Sequence, residues 1–230
     1  MHLGRNNPKH KYSMAGQQLE VTEEERDIGV LVTNNLKPSR QCTESAARAN
    51  RVLYQLTKVF HYRDKNTFIK LYKQYVRPHL EYSIQAWNPW LAGDIEVLEN
   101  VQRKAVRMVS GLNGLTYEDK LRELNLESLA ARQKRLDMIQ TFKIIKGIDN
   151  VDDNIWFTKF GNDESRRYTR LSEHPLNLRA REPARTDIRR NFFSNRVIND
   201  WNGLPSTLKD SRTISGFKFK YSEFTDAAAV

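Results

Sequence analysis

Cysteine is almost absent. Cys42 stands alone among 230 residues, so no disulfide can form within the chain, and a reducing, intracellular setting (nuclear or cytoplasmic) is expected. Long apolar runs are missing too: none approaches the roughly 20 residues that a membrane-spanning helix needs. The opening stretch from Met1 to Tyr12 contains no apolar core of the kind that marks a secretory signal, so neither a signal peptide nor a membrane partner is expected. Histidines are few and scattered: His2, His10, His61, His79 and His174 form no pair at metal-ligand spacing, and one cysteine cannot build a zinc knuckle. Gly-x-Ser-x-Gly, Walker A and Rossmann glycine patterns do not occur. No internal repeat is found, and low complexity is confined to the three alanines near the end.

What the chain has in excess is positive charge. It carries 38 Lys and Arg against 28 Asp and Glu, a net charge of +10, which favours an anionic partner, most often nucleic acid. Apolar residues at 39% suffice for a core, while 29% charged residues and a mean hydropathy of -0.71 predict a soluble protein with long polar faces. The charge is unevenly spread. Residues 1–36 hold 4 basic and 5 acidic side chains, residues 37–147 hold 20 and 11, residues 148–165 are net acidic, and residues 166–230 are basic again. The acidic stretch between two basic regions suggests a domain boundary there.

Hydrophobic spacing divides the chain in the same places. Tyr12 to Met14 and Leu19 to Val21 flank the hairpin turn Ala15-Gly16-Gln17-Gln18, and the run from Ile28 to Val32 reads as a strand. From Pro38 the period is helical. Ala49, Val52, Leu53, Leu56 and Phe60 lie on one helix face. Asp64 is placed to cap a second helix with Phe68, Leu71, Tyr72, Tyr75 and Val76 inward, which Pro78 should break or kink. Leu80, Ile84 and Trp87 carry it on to Asn88-Pro89. Asp94 is placed to cap a third helix with Val97, Leu98, Val101, Ala105 and Met108 inward, before Gly111. Further helices are predicted at 117–124 and 128–146, the latter closed by Gly147. One more holds Phe192, Phe193, Val197 and Trp201. A terminal helix is capped by Thr213 or Ser215, although Phe217, Phe219 and Tyr221 also fit a strand. The expected fold is mainly α: residues 1–36 as a small antiparallel β piece, 37–147 as a helical bundle, 148–190 as an acidic and then arginine-rich linker, and 191–230 as a smaller helical region.

The basic residues form stripes. Arg48, Arg51 and Lys58 lie beside the apolar face of the first helix, Lys70, Lys73 and Arg77 on the second, and Arg103, Lys104 and Arg107 on the third. Such stripes track a phosphate backbone by neutralising it and releasing counterions; a single stripe is also what a solvated helix face looks like. Residues 166–190 carry eight arginines, beginning with Arg166, Arg167 and Arg170, the composition of an RNA-binding arm or of a solvated connector. Tyr72, Tyr75, Tyr82, Trp87 and Trp90 are candidates for stacking on bases, although helical spacing favours the core for Tyr72, Tyr75 and Trp87. Asp152-Asp153 imitates a catalytic acid pair, but no flanking strands and no third carboxylate can be assigned, so it reads as a solvated acidic linker.

Four segments in order resemble reverse transcriptases of non-LTR (LINE-type) retrotransposons of the jockey/CR1-like group. They are RDIGVLVTNNLKPSRQC at 26–42, TFIKLYKQYVRPHLEYSIQAWNPW at 67–90, IEVLENVQRKAVRMVSG at 95–111 and NFFSNRVINDWNGLPSTLKDS at 191–211. The resemblance implies that Ile28, Gly29 and Val30 form a primer-grip strand at the trailing edge of a palm, that the following helices form a thumb, and that the chain ends in the family's C-terminal region. It implies an RNA or RNA/DNA duplex as partner, together with the palm and fingers of a parent polymerase. In the family, the Tyr/Phe-x-Asp-Asp hairpin and third carboxylate that bind two divalent ions lie upstream of the matching region, so no catalytic residue, metal or cofactor is expected here; Mg2+ belongs to the intact parent enzyme. The competing reading is a helical module whose partner is another protein. A small enzyme using unrecognised residues is a third, disfavoured by the missing catalytic spacings.

Overall fold

The computed structural model describes residues 1–4, 7–159, 174–180 and 183–228. The fold is mainly α, with three small two-stranded antiparallel sheets among the described residues. None of its described helices is long and apolar enough to cross a membrane. Two compact units divide the chain, Met1–Ala131 and Arg132–Val230. The division falls upstream of the boundary expected near residue 148.

The first unit opens on two hairpins. Strands β1 (Ser13–Met14) and β2 (Gln17–Gln18) are joined by Ala15 and Gly16, and β3 (Glu24–Asp27) pairs with β4 (Val30–Thr33) from Glu24 opposite Thr33 to Asp27 opposite Val30. Both turns have two residues at positive φ, 49° and 80° in the first, 43° and 82° in the second, the geometry whose twist matches the flanking strands. The run from Ile28 to Val32 is therefore not one strand. Ile28 and Gly29 make the turn, because two positive-φ residues end one strand and start the next. Only Val30 of the three expected grip residues is in a strand, and it is buried. The Leu31 N–H, which the hairpin leaves unpaired, donates to Gln41 Oε1 at 2.8 Å.

Helix α1 (Ser39–Val59) follows, burying Cys42, Ala46, Ala49 and Leu53 along one side, with Val52, Leu56 and Phe60 half-buried beside them. Helix α2 (Lys65–Leu71) starts where expected: Asp64 Oδ1 accepts from the Thr67 N–H at 2.9 Å. It runs into a π-helical turn, Tyr72–Val76, in which the Arg77 N–H reaches the Tyr72 carbonyl. Pro78 then stands at the first position of α3 (Pro78–Glu81), where its missing N–H breaks nothing. Ser83, at φ 50°, separates α3 from α4 (Ile84–Trp87), and the Trp87 indole N–H donates back to the Tyr82 carbonyl. Helix α5 (Ala92–Arg107) has Leu91, not Asp94, at its N-terminal cap. Asp94 lies inside its first turn, where it accepts from the Ser39 hydroxyl at 2.7 Å. At the far end, Arg63 donates to the Met108 carbonyl and the Ser110 N–H donates to the Arg63 carbonyl. Hydrogen bonds at both ends thus hold α1 and α5 side by side and parallel. Helix α6 (Tyr117–Glu123), capped by Thr116, closes the unit.

Helix α7 (Leu129–Ile145) begins at the end of the first unit and supplies the second with Met138, Phe142 and Ile145. These pack with residues of the C-terminal helices in one apolar cluster, which is why the compact unit starts at Arg132. The described parts of 148–190 are not a linker. Asp152 caps α8 (Asp153–Trp156), β5 (Thr158–Lys159) pairs with β6 (Leu178–Arg179), and Phe157 and Leu178 are buried in the cluster. Helices α9 (Asp187–Asn191), α10 (Phe193–Asn202), α11 (Ser206–Lys209) and α12 (Ile214–Ala228) complete the unit around Phe193, Val197, Trp201, Phe217 and Tyr221. Thr213 caps α12, and the strand alternative for 217–221 is excluded. Asp137 and Arg196 form a bidentate ion pair at 2.8 and 3.0 Å, nearly buried, that ties α7 to α10.

Candidate functional site

The nine expected basic residues of the first unit fall into two groups. Arg51, Lys58, Lys70, Lys104 and Arg107 are exposed and carry no ion pair among the described residues. The other four are engaged. Arg48 pairs with Glu44 at 2.6 Å, Arg77 with Glu81 at 3.3 Å, and Arg103 with Glu96, while Lys73 lies 3.4 Å from the Asn125 carbonyl oxygen. Neighbours at i±4 and i−7 explain why: each of these arginines has a carboxylate on its own helix side, whereas Lys58 has none and the one seven residues before Arg51, Glu44, is already held by Arg26 and Arg48.

At about 100° per residue, Arg51 and Lys58 lie on the side of α1 opposite Ala49 and Leu53, not beside the apolar face as the sequence suggested. Arg107 likewise lies opposite the buried Leu98 and Gln102 of α5. Because α1 and α5 pack on one another, these outward faces diverge, and the stripe on α1 is a surface in its own right. Arg166, Arg167 and Arg170 lie outside the described residues.

The grip residues sit differently from expectation. Ile28 projects from the tip of the β3–β4 hairpin, 82% exposed. A Cβ on Gly29 would stand 3.3 Å from Tyr82 Cε1, and the Tyr82 hydroxyl donates to the Ile28 carbonyl at 3.0 Å. The close approach that glycine allows is filled by this protein's own tyrosine.

The aromatic candidates also divide. Tyr72 and Trp87 are buried, as their spacing suggested, and Trp90 is half-buried; Tyr75 is exposed, against the expectation of core packing, because it falls on the outer side of the π-helical turn. Tyr54 and Tyr62, which lie outside the apolar stripe of the first helix, are 60% and 77% exposed. Lys58 Nζ lies 5.1 Å from the centre of the Tyr54 ring. The i, i+4 spacing of Tyr54 and Lys58, away from the apolar face, was the signal for this pair.

One polar cluster is buried in the first unit. Gln102 Oε1 accepts from the Tyr72 hydroxyl at 2.7 Å, and its amide donates to the Tyr117 hydroxyl and the Glu127 carbonyl, each at 3.0 Å. Glu99 accepts from the Tyr117 hydroxyl and, at 2.9 Å, from the Leu129 N–H. Burial pushes both tyrosines above the ordinary phenol range. Every member has a partner, so the cluster fixes α5, α6 and the start of α7 instead of presenting an acid to solvent. Asp152 caps α8 and Asp153 pairs with Lys159, so the acid pair is not merely solvated. Among the described residues, no three His, Cys, Asp or Glu side chains come together as metal ligands.

Comparison with known proteins found no matching family model, no matching curated protein and no matching solved structure.

Proposed function

We propose that this chain is a non-catalytic, nucleic-acid-binding piece of a LINE-type reverse transcriptase that holds RNA or an RNA/DNA duplex by its phosphate backbone. The observation that carries the reading is the outer side of α1, where Arg51 and Lys58 face solvent and carry no ion pair among the described residues. The net charge of +10 and the four ordered segments of resemblance point the same way. A polyanion gains most from cations that no acid has already claimed, because only those release its counterions on binding. No metal, cofactor or chemical step is assigned to the chain, and its setting on this reading is nuclear or cytoplasmic.

The test is binding of the whole chain to a fluorescent duplex across a range of salt. The expected plot of log affinity against log salt is linear and falling, with the slope reduced by about one for each of Arg51→Gln and Lys58→Gln. No binding at low salt, or binding indifferent to salt, would overturn the proposal.

One observation favours a second reading, a protein–protein module. Tyr12, Met14 and Leu19 share one face of the β1–β2 hairpin, with Val21 just beyond, and all four are exposed. A defined oligomer in size-exclusion chromatography that ignores nucleic acid would select this reading over the first.

A further inference from the structure

We propose that the outer side of α1 binds single-stranded nucleic acid, with an unpaired base stacked on Tyr54 and another on Tyr62; this rests on the backbone-binding reading above and names its ligand. A grip on a duplex needs cations but has no use for exposed rings, since paired bases are already stacked on one another. Here the rings are present. Tyr54 and Tyr62 are among the most exposed large side chains of the protein, and among the described residues no other aromatic ring packs on either. Tyr72, by contrast, buries its ring and gives its hydroxyl to Gln102.

The cations are spaced to serve those rings. Arg51, Tyr54 and Lys58 follow at i, i+3 and i+7, one side of the helix over about 10 Å. Lys58 already lies over the Tyr54 ring, so a base sharing that ring brings its phosphate within reach of both cations. The carboxylate two turns before Arg51 on this side, Glu44, is held by Arg26 at 2.7 Å and Arg48 at 2.6 Å and does not compete. Tyr62 stands two residues past Phe60, where the helix ends, and is exposed. Stacking of this kind tolerates any sequence, because every base offers a π-face.

The experiment compares oligo-deoxythymidine with a blunt duplex of equal length, each titrated with the whole chain over a range of salt. Tyr54→Leu and Tyr62→Leu should each weaken single-strand binding about tenfold, leave its salt slope unchanged and leave duplex binding unchanged. Tyr54→Phe should bind like the parent, and Arg51→Gln should weaken both ligands and lower both slopes. Circular dichroism of each variant confirms the fold, which substitution at such exposed positions leaves intact. Unchanged single-strand affinity in the leucine variants, or an equal loss for the duplex, overturns the stacking proposal while backbone binding stands. If the parent chain binds neither ligand at low salt, both proposals fall together.

Discussion

Cys42 shows how burial decides the chemistry of a single side chain. It is fully buried, and burial first, the neighbouring Asp94 charge second, pushes its thiol up to about 12. The thiolate is the reactive form, so a thiol reagent at pH 8 should leave the folded protein unlabelled and modify Cys42 only after denaturant is added. Labelling of the native chain at the rate of a free thiol would contradict this environment. Ile28 is the opposite case, a β-branched residue on the surface at φ 43°. That conformation suits Asn and Gly, so Ile28→Asn should raise stability by about 1 kcal/mol in urea unfolding. Gly29→Ala should lower it by about 1–2 kcal/mol, from positive φ and from contact with Tyr82. Equal midpoints for all three proteins would mean that the turn is not built this way.

Among the elements, caps and apolar stripes could be read from the chain while partners could not. Asp64, Pro78, Gly147 and Thr213 act locally, through a hydrogen bond or a backbone angle, so their positions were legible without tertiary information. Asp94 was misplaced because its real partner, Ser39, is 55 residues away. Tyr75 was assigned to the core because a π-helical turn shifts its angular position in a way an α-helical period cannot anticipate. The join between α7 and α10 depends on another distant pair, Asp137 with Arg196. Asp137→Ala leaves a nearly buried guanidinium without its counter-charge and should cost about 3 kcal/mol, seen as a lower urea midpoint. Replacing both by apolar residues of similar size should recover much of that loss; a midpoint indifferent to Asp137→Ala would show the pair to be dispensable.

For the molecule as a whole, acid should be destabilising. Hydrogen bonds from Arg40, Arg48, Thr67, Thr116, Lys65 and Lys143 hold Glu24, Glu44, Asp64, Asp119, Glu123 and Asp149 respectively below their ordinary values of 4.5 for Glu and 3.8 for Asp. A carboxylate with a depressed folded pKa contributes stability that is complete above its unfolded pKa and is lost as pH falls through the folded one. The melting temperature should therefore be flat down to about pH 5 and drop below about pH 4.5. A rise in melting temperature over that interval would reverse the sign. Mutual repulsion in a chain of net charge +10 acts in the same direction as the carboxylates are neutralised.

By itself the sequence determined the mainly helical fold, the first hairpin turn and the excess of cations, because periodicity, turn chemistry and charge are properties of neighbouring residues. Local spacing also sorted the cations: Glu44, Glu81 and Glu96 claim Arg48, Arg77 and Arg103 from four or seven residues away, and Arg51 and Lys58 are left facing water beside Tyr54. Tertiary structure alone decided that Arg26 joins Arg48 on Glu44, that Tyr82 fills the space beside Gly29, and that Phe157 and Leu178 belong to a core. Pairing and burial depend on the distance between side chains in the folded state, and composition records how many charges a chain has without recording which of them meet.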